Sequence, residues 1–239
     1  MRIIQAPTTP SAVETIASIL FDKMNNSSAV IGLATGNTMI PVYASLVEMA
    51  KEKDANFQNC FFFMLDEYLG FPPDHPSTFK SYIENHLIKP LGLKESQFAF
   101  PPAQLHDGPR YYEELLKESG GIDLQLLGIG RNGHVGFNEP GSACDSRTRI
   151  VHLTPETIEA NKDQFQNIVP EKAISMGIGT ILEAKELLML ATGNSKADQI
   201  KYLLNHHDES NCPATYLKRH NHFTLVLDPA AASRINLNI

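Results

Sequence analysis

Short apolar runs, separated by segments with helical patterns, constrain the fold of this chain most strongly. The runs lie at residues 29–34, 60–65, 123–129, 186–191 and 222–227. A strand that is apolar on both faces needs cover on both faces, which is typical of parallel sheets. With 239 residues the chain can bury one large core. We therefore predict a single α/β domain over residues 1–239, with a doubly wound, mostly parallel sheet and helices on both faces.

Capping and periodicity signals predict the elements around these strands. Residues 2–5 are predicted to form a short strand. Ser11-Ala-Val-Glu14 has the pattern of a capping box, which opens a helix running to about Asn25. Further helices are predicted at residues 41–53, 77–88, 110–118 and 196–205. The alternation of strands and helices supports the predicted α/β class.

Charge and cysteine spacing exclude several kinds of protein. The net charge of −7 argues against a nucleic-acid partner, because phosphate backbones require clustered Lys and Arg. The N-terminus has no apolar core of a signal peptide, and no apolar run approaches a membrane span. Cys60, Cys144 and Cys212 form no CxxC pair, so neither a zinc knuckle nor a disulfide framework is indicated. We expect a cytoplasmic protein with reduced thiols and no membrane partner.

Polar segments follow four of the predicted strands, each where its strand ends. They are Thr35-Gly36-Asn37-Thr38, Asp66-Glu67-Tyr68, the glycine-rich stretch from Gly128 to Gly141, and Thr192-Gly193-Asn194-Ser195-Lys196. In doubly wound sheets, ligands bind beyond the carboxyl ends of the strands. The shared position predicts that these segments line one ligand-binding crevice.

The Thr35-Gly36-Asn37-Thr38 segment is a candidate phosphate cradle. Backbone N–H groups at a helix N-terminus and two threonine hydroxyls can bind a phosphate, and Lys196 could bring a cation to it. The segment is not a Walker A motif. The alternative is a plain β–α turn with Thr38 as the N-cap, and an exposed lysine in the first turn of the following helix.

Asp66 and Glu67 are adjacent carboxylates after a strand made largely of phenylalanine. A carboxylate beside apolar walls has a raised proton affinity and can act as a general base. Because side chains alternate along a strand, only one of the two is expected to face the floor of the crevice. The alternative for the other residue is an N-cap or a loop salt bridge.

His134 and Glu139 lie in the glycine-rich stretch and suit acid–base chemistry near neutral pH. Glu139 could hydrogen-bond one ring nitrogen and leave the other to exchange protons with a substrate. A structural histidine is the alternative. A metal site is disfavoured, because no HExxH or comparable spacing of ligands occurs.

Together these segments resemble the glucosamine-6-phosphate deaminase (isomerase) family. The matching strings are LATGNT at 33–38, LDEY at 65–68, GIGRNGHVGFNEPG at 128–141, RTR at 147–149 and AISMGIG at 173–179. The resemblance runs in order over nearly the whole chain. It implies conversion of glucosamine 6-phosphate to fructose 6-phosphate and ammonia. The 6-phosphogluconolactonases share the fold and a GxGxxGH loop but lack the FNE continuation, so Glu139 separates the two families.

The resemblance also implies catalytic roles. Asp66 would move a proton from C2 to C1 of the opened sugar, and His134 would be the acid and base for ring opening. Glu139 would orient His134, and Asn132 would complete the group through hydrogen bonds only, since an amide does not ionise. No step transfers electrons, so neither a redox cofactor nor a metal is expected.

For substrate binding, the resemblance implies that the 6-phosphate lies against Thr35-Gly36-Asn37-Thr38, Gly133 and Lys196. Many family members supply a further arginine, but Asp163 stands at that position here. Lys162, one residue earlier, is the predicted substitute. Because the arginine is missing, galactosamine 6-phosphate, giving tagatose 6-phosphate, is an alternative substrate. A 6-phosphogluconolactonase and a non-enzymatic sugar-phosphate-sensing domain are further alternatives.

Two expectations concern assembly and motion. Allosteric hexameric members carry a lysine where Val151 stands, and they have a longer C-terminal tail. A monomer or a small homo-oligomer without allosteric activation is therefore predicted. A lid over about residues 149–178 is also predicted, because an imine intermediate must be shielded until it is hydrolysed.

Overall fold

The structure of the chain is a computed structural model that describes residues 1–25, 27–72, 74–103, 107–161, 165, 169–206 and 211–235. A parallel seven-stranded sheet runs through its centre, in the order β1-β10-β9-β6-β2-β3-β5. Its strands are β1 Arg2–Gln5, β2 Val30–Leu33, β3 Phe61–Met64, β5 Phe98–Ala99, β6 Leu124–Leu127, β9 Leu187–Ala191 and β10 Phe223–Leu227. The strands predicted from the apolar runs are confirmed, and so is the doubly wound α/β class.

Helices cover the sheet and bury its apolar side chains in one large core. They are α1 Thr9–Met24, α2 Ile40–Glu52, α3 Phe79–Ile83, α4 Lys89–Leu91, α5 Gly108–Glu118, α6 Pro155–Asn161, α7 Ile178–Leu182 and α8 Ala197–Asn205. A π-helical stretch, Glu84–Ile88, joins α3 to α4 and accounts for the rest of the predicted 77–88 helix. None of the described helices is both long and apolar enough to cross a membrane.

The predicted capping box at Ser11 is wrong. Helix α1 begins earlier, at Thr9, and the N-cap is Thr8, whose Oγ1 accepts a hydrogen bond from the Ser11 N–H (3.2 Å). Pro10 then falls in the first turn, where its missing N–H costs nothing. Ser11 therefore donates its backbone N–H to the capping side chain, and Thr8 is the N-cap residue.

A second, antiparallel sheet in the order β4-β8-β7 was not predicted. It contains β4 Asp66–Leu69, β7 Arg149–His152 and β8 Lys172–Ser175. Asp66-Glu67-Tyr68, which was expected to be a loop, is therefore a strand that directly follows β3. Because Asp66 pairs with Ser175, the sheet connects the candidate base to the end of the predicted lid.

The order of the main sheet contains a switch point between β2 and β6. From β2 the chain adds strands towards β3 and β5, and from β6 it adds them in the opposite direction, towards β9 and β10. Loops that leave the carboxyl ends of β2 and β6 therefore diverge, and a crevice opens between them. This crevice is the expected place for a ligand.

Candidate active site

The polar segments predicted to share a crevice follow neighbouring strands. The strands β9, β6, β2 and β3 are consecutive and parallel in the sheet. The segments at their carboxyl ends therefore emerge at the same edge, and the two after β2 and β6 flank the switch point. The four segments therefore lie at one edge of the sheet, as predicted, and their lining of a single ligand-binding crevice stays a prediction.

Glu139, Asn132 and His134 form a hydrogen-bonded relay in the glycine-rich loop. The Asn132 amide donates to Oε2 of Glu139 (2.6 Å), and Oδ1 of Asn132 lies 2.7 Å from Nδ1 of His134. Glu139 Oε2 is farther from the ring, 3.5 Å from Nδ1. Glu139 therefore lies within ion-pair distance of the imidazole, as expected, and Asn132 adds a second, shorter link between the two side chains.

The relay determines which ring nitrogen of His134 carries the proton. An ionised Glu139 can only accept hydrogen bonds, so the NH₂ group of Asn132 must face it. The amide oxygen of Asn132 then faces Nδ1 of His134, which must be the donor in that contact. Nε2 of a neutral His134 is left with a free lone pair, and it can accept a proton from a ligand.

Glu139 is held in its ionised form. Burial would raise its pKa, but hydrogen bonds from His134, Asn132 and Thr157 outweigh burial and lower the pKa to about 2. The hydroxyl of Thr157, in α6, donates to Oε1 of Glu139 (2.8 Å). The relay is therefore connected to a helix of the predicted lid.

At two positions of the loop only glycine fits, because a side chain there would collide with a neighbouring residue. A Cβ atom on Gly130 would lie 2.2 to 2.3 Å from three atoms of the His134 ring. Gly133 has a φ of +83°, and a Cβ atom there would lie 2.4 Å from Sγ of Cys212. The imidazole therefore packs flat against the loop's own backbone, and this packing fixes its orientation.

Asp66 is buried below this loop. Its residue is 5% exposed, and no hydrogen bond to its carboxylate is found among the described residues. Burial first, and the charge of Glu67 second, raise the pKa of Asp66 to about 8. A Cβ atom on Gly136 would lie 3.2 Å from its Oδ2, so the glycine-rich loop passes directly over the carboxylate. The structure thus brings Asp66 and the His134 loop together.

Glu67 has a different role from its neighbour. Its carboxylate accepts hydrogen bonds from the backbone N–H groups of Tyr68, Phe79 and Lys80, at 2.8 to 2.9 Å. Two of these donors belong to the first turn of α3, where a negative charge is favourable. Burial nevertheless raises the pKa of Glu67. The predicted capping alternative therefore describes Glu67, and Asp66 remains the candidate base.

The Thr35-Gly36-Asn37-Thr38 segment forms a turn between β2 and α2. Two tyrosine hydroxyls donate hydrogen bonds to backbone carbonyl oxygens at this turn. Tyr43 donates to the Ala34 oxygen (2.5 Å), and Tyr82 donates to the Gly36 oxygen (2.9 Å). The N-cap of α2 is Met39, with no side-chain hydrogen bond, so the alternative with Thr38 as N-cap is wrong. The first N–H groups of α2 are left without a side-chain cap, as an anion site requires.

Lys196 lies in the segment that follows β9, close enough to Arg131 for their charges to interact. Burial first, and the nearby charge of Arg131 second, lower the pKa of Lys196. Neither cation has a carboxylate partner within the described part of the chain. Two neighbouring cations without a counter-ion favour binding of an anion. The predicted substitute Lys162, like Asp163, lies outside the described residues.

Several residues of this site were missed by the sequence reasoning. Arg131 stands inside the glycine-rich string, but its position beside Lys196 depends on the pairing of β6 with β9. Asn138 is 0% exposed and donates to the carbonyl oxygens of Val135 and Met176, both at 2.8 Å. Its Oδ1 accepts from Arg149 (2.8 Å), so it ties the loop to the small sheet. In the described ranges, no cluster of three His, Cys, Asp or Glu residues could hold a metal ion.

Fold and site together define a doubly wound α/β protein that has a hydrogen-bonded Glu–Asn–His group, a buried carboxylate and a pair of neighbouring cations in the segments after its parallel strands. The family model described as "Glucosamine-6-phosphate isomerases/6-phosphogluconolactonase" matches residues 6–226. A relative from Mycoplasma mycoides subsp. mycoides, named glucosamine-6-phosphate deaminase, is 39% identical over 238 residues and is covered to 98%, as is this chain. The chain belongs to this family.

Solved structures agree with this assignment. One described as a monomeric glucosamine-6-phosphate deaminase superposes with a TM-score of 0.94 at 37% identity, covering 98% of this chain and all of the other. A 6-phosphogluconolactonase from Trypanosoma brucei gives a TM-score of 0.75 at 17% identity, covering 98% of both chains. That second likeness shows only a shared fold.

Proposed function

We propose that this protein is a glucosamine-6-phosphate deaminase, which converts glucosamine 6-phosphate and water to fructose 6-phosphate and ammonia. The observation that carries the proposal is that buried Asp66 lies directly below the glycine-rich loop, at Gly136, and that the same loop carries the Glu139–Asn132–His134 relay. Glu139, which the sequence resemblance makes the mark of deaminases over lactonases, is an integral part of that relay. The similarity to proteins named glucosamine-6-phosphate deaminase supports the same activity.

The 6-phosphate would bind in the corner between the loops after β2, β6 and β9. We assign its oxygens to the backbone of Thr35-Gly36-Asn37-Thr38, the loop around Gly133, and the cations Lys196 and Arg131. The charge of a phosphate would offset the repulsion between the two cations, which are otherwise without a counter-ion among the described residues. Lys162 remains a proposed additional cation.

Ring opening would use Nε2 of His134. It accepts the proton of the anomeric hydroxyl as the bond from C1 to the ring oxygen breaks, and it returns a proton to that oxygen. The product is an open-chain aldehyde that keeps its amino group on C2. The negative charge of Glu139, transmitted through Asn132, stabilises the imidazolium that forms in between.

Isomerisation and deamination would follow at C1 and C2. Ionised Asp66 removes the proton from C2 and returns it to C1. In the same isomerisation the aldehyde oxygen on C1 gains a proton and the amino nitrogen loses one, by exchange with solvent, so that C1 becomes a CH₂OH group and the C2–N bond becomes an imine. Water then adds to C2, and ammonia leaves to give the 2-ketose 6-phosphate. The raised pKa of Asp66, about 8, makes it a strong enough base at working pH and also able to give the proton back.

Release of ammonia is the decisive assay. Purified protein is incubated with glucosamine 6-phosphate, with galactosamine 6-phosphate and with 6-phosphogluconolactone in separate reactions. We expect ammonia from glucosamine 6-phosphate. Ammonia from the galactosamine isomer alone would overturn the substrate assignment, and lactone hydrolysis without any ammonia would overturn the deaminase assignment. The Asp66→Asn variant is the matched control for background hydrolysis.

Three further expectations accompany this function. The segment of about residues 149–178, which contains β7, α6 and β8, is proposed to act as a lid over the imine. A monomer or a small homo-oligomer is proposed, in keeping with the solved relative described as monomeric. Work in the cytoplasm is proposed because Cys60, Cys144 and Cys212 are all free thiols, which suits a reducing compartment.

A further inference from the structure

We propose that Asp228 is a positioning residue for the substrate phosphate, because it holds the turn that presents Lys196. This inference rests on the proposed function, since Lys196 is assigned there to the 6-phosphate. Asp228 immediately follows β10, which pairs with β9, and the turn in question immediately follows β9. The residue does not touch the crevice itself and would act only through the backbone of that turn.

The Asp228 carboxylate is almost completely buried and fully engaged. The residue is 1% exposed. The Gly193 N–H lies 3.1 Å from each carboxylate oxygen, so it is shared between them. The Ala231 N–H donates to Oδ1 and the Thr9 hydroxyl donates to Oδ2, both at 2.7 Å. One carboxylate therefore joins the start of α1, the loop after β10 and the turn after β9.

The turn that Asp228 holds has a fixed geometry. Gly193 has a φ of +86°, a left-handed conformation that lets the chain reverse between β9 and α8. The Lys196 N–H then donates to the Gly193 oxygen (3.1 Å), and α8 begins at the next residue. Any shift of the Gly193 peptide is therefore transmitted to the backbone of Lys196. A weaker second tie runs from Ser233 Oγ to Asn194 Oδ1 (3.2 Å).

The chemistry of the contacts requires an acceptor on both oxygens. Among the described residues, every donor to this carboxylate is a backbone N–H or a hydroxyl, and no Lys or Arg pairs with it. An asparagine at this position has nearly the same shape, but its NH₂ group faces at least the Gly193 N–H. Asp228→Asn is thus a small change that weakens the tie to the turn and adds no cavity.

Steady-state kinetics with glucosamine 6-phosphate test the proposal. For Asp228→Asn we expect a KM raised about tenfold, a matching rise in the inhibition constant of inorganic phosphate, and a kcat within about threefold of the parent protein. A purely structural role would reduce the amount of active protein, and so kcat, without changing either binding constant. If Asp228→Asn leaves both the KM and the inhibition constant of inorganic phosphate unchanged, the proposal is wrong.

Asp123→Asn is the matched control. Asp123 also accepts a backbone N–H, that of Val30 (2.8 Å), but at the opposite end of the sheet. It should lower the unfolding temperature and leave the KM and the phosphate constant unchanged. If it raises both constants as Asp228→Asn does, the effect is a general loss of stability and the proposal is wrong.

Two additions keep the test decisive. If Asp228→Asn does not fold, Thr9→Val removes only one donor to the same carboxylate, and we expect it to raise the phosphate constant by about twofold to fivefold. No change in folded Thr9→Val would then count against the proposal. If the parent protein releases no ammonia, the proposed function fails separately. Calorimetric titration with inorganic phosphate then still compares binding by the parent and the Asp228 variant.

Discussion

Replacing Asp66 with asparagine should make the protein more stable while it abolishes turnover. The carboxyl group is buried, with a pKa of about 8 in the folded chain against an ordinary value of 3.8. Between these two pH values the folded protein binds more protons than the unfolded chain does. Stability must therefore fall as the pH rises through this window, because the unfolded state gains from ionisation and the folded state does not. An asparagine has no such dependence.

The size of the effect follows from the width of the window. Each pH unit within it corresponds to about 1.4 kcal/mol in the free energy of unfolding. Between pH 5 and pH 7 the stability difference between Asp66→Asn and the parent protein should therefore grow by about 2.7 kcal/mol in favour of the variant. Glu67 is still present in the variant, so the difference reports on Asp66 itself. Burial of an ionisable base in an active site is one way in which a protein gains activity and loses folding stability.

Urea unfolding at pH 5, 6 and 7 measures this difference, with the slope of the transition as a check that the denatured state is unchanged. The control is Asp123→Asn, which should behave oppositely. Burial raises the pKa of Asp123, but bonds from Lys185 and Val30 outweigh it and lower the pKa overall. Its removal should therefore destabilise the protein above the ordinary pKa of an aspartate. A stability gain in Asp66→Asn that does not change with pH would refute the reasoning, because it would not come from ionisation.

The remaining predictions concern catalysis. In the parent protein, kcat/KM should rise with pH as Asp66 ionises and level off above about pH 8. A kcat/KM that does not change between pH 6 and pH 9 would disprove the assignment of Asp66 as the base. Gly130→Ala forces the His134 ring to move and should lower kcat about a hundredfold, with circular dichroism unchanged. Thr157→Val, which loses the bond to Glu139, should lower kcat about tenfold. Thr157→Ser should restore most of that rate, and equal rates in both variants would disprove the role of the hydroxyl.

The sequence predicted the main sheet because its strands are apolar on both faces. Strands such as residues 60–65 and 186–191 need a layer of helices on each face of the sheet. Their apolar pattern therefore indicates a parallel sheet between two helical layers. The small sheet has no such signal. Its strands β4, β7 and β8 are four residues long each, and β4 begins with two carboxylates that are typical of a loop. Their pairing joins distant parts of the chain, which no local pattern reveals.

The candidate site was predictable in its residue types and less so in its contacts. The string that contains His134 and Glu139 indicated that the two residues act together, but it did not show that Asn132 lies between them as a shorter link. The position of Asn132 depends on the path of a loop with left-handed glycines, such as Gly133. The role of Arg131 depends on which strands are neighbours. Burial of Asp66 likewise arises from the second sheet and from the passage of Gly136 above it.

The enclosure of Asp66 has a consequence for the fate of the hydrogen that the proposed reaction moves. A carboxylic acid that is 5% exposed, and that has no hydrogen-bond partner in the described part of the chain, exchanges its proton slowly with bulk water. The hydrogen taken from C2 is therefore the one delivered to C1 for as long as the enclosure lasts. In heavy water, the fraction of deuterium at C1 of the ketose depends on the ratio of two rates: proton transfer from Asp66 to C1, and exchange of the Asp66 proton with solvent when the site opens. A low deuterium content at C1 would therefore mean that the site stays closed for longer than the transfer takes.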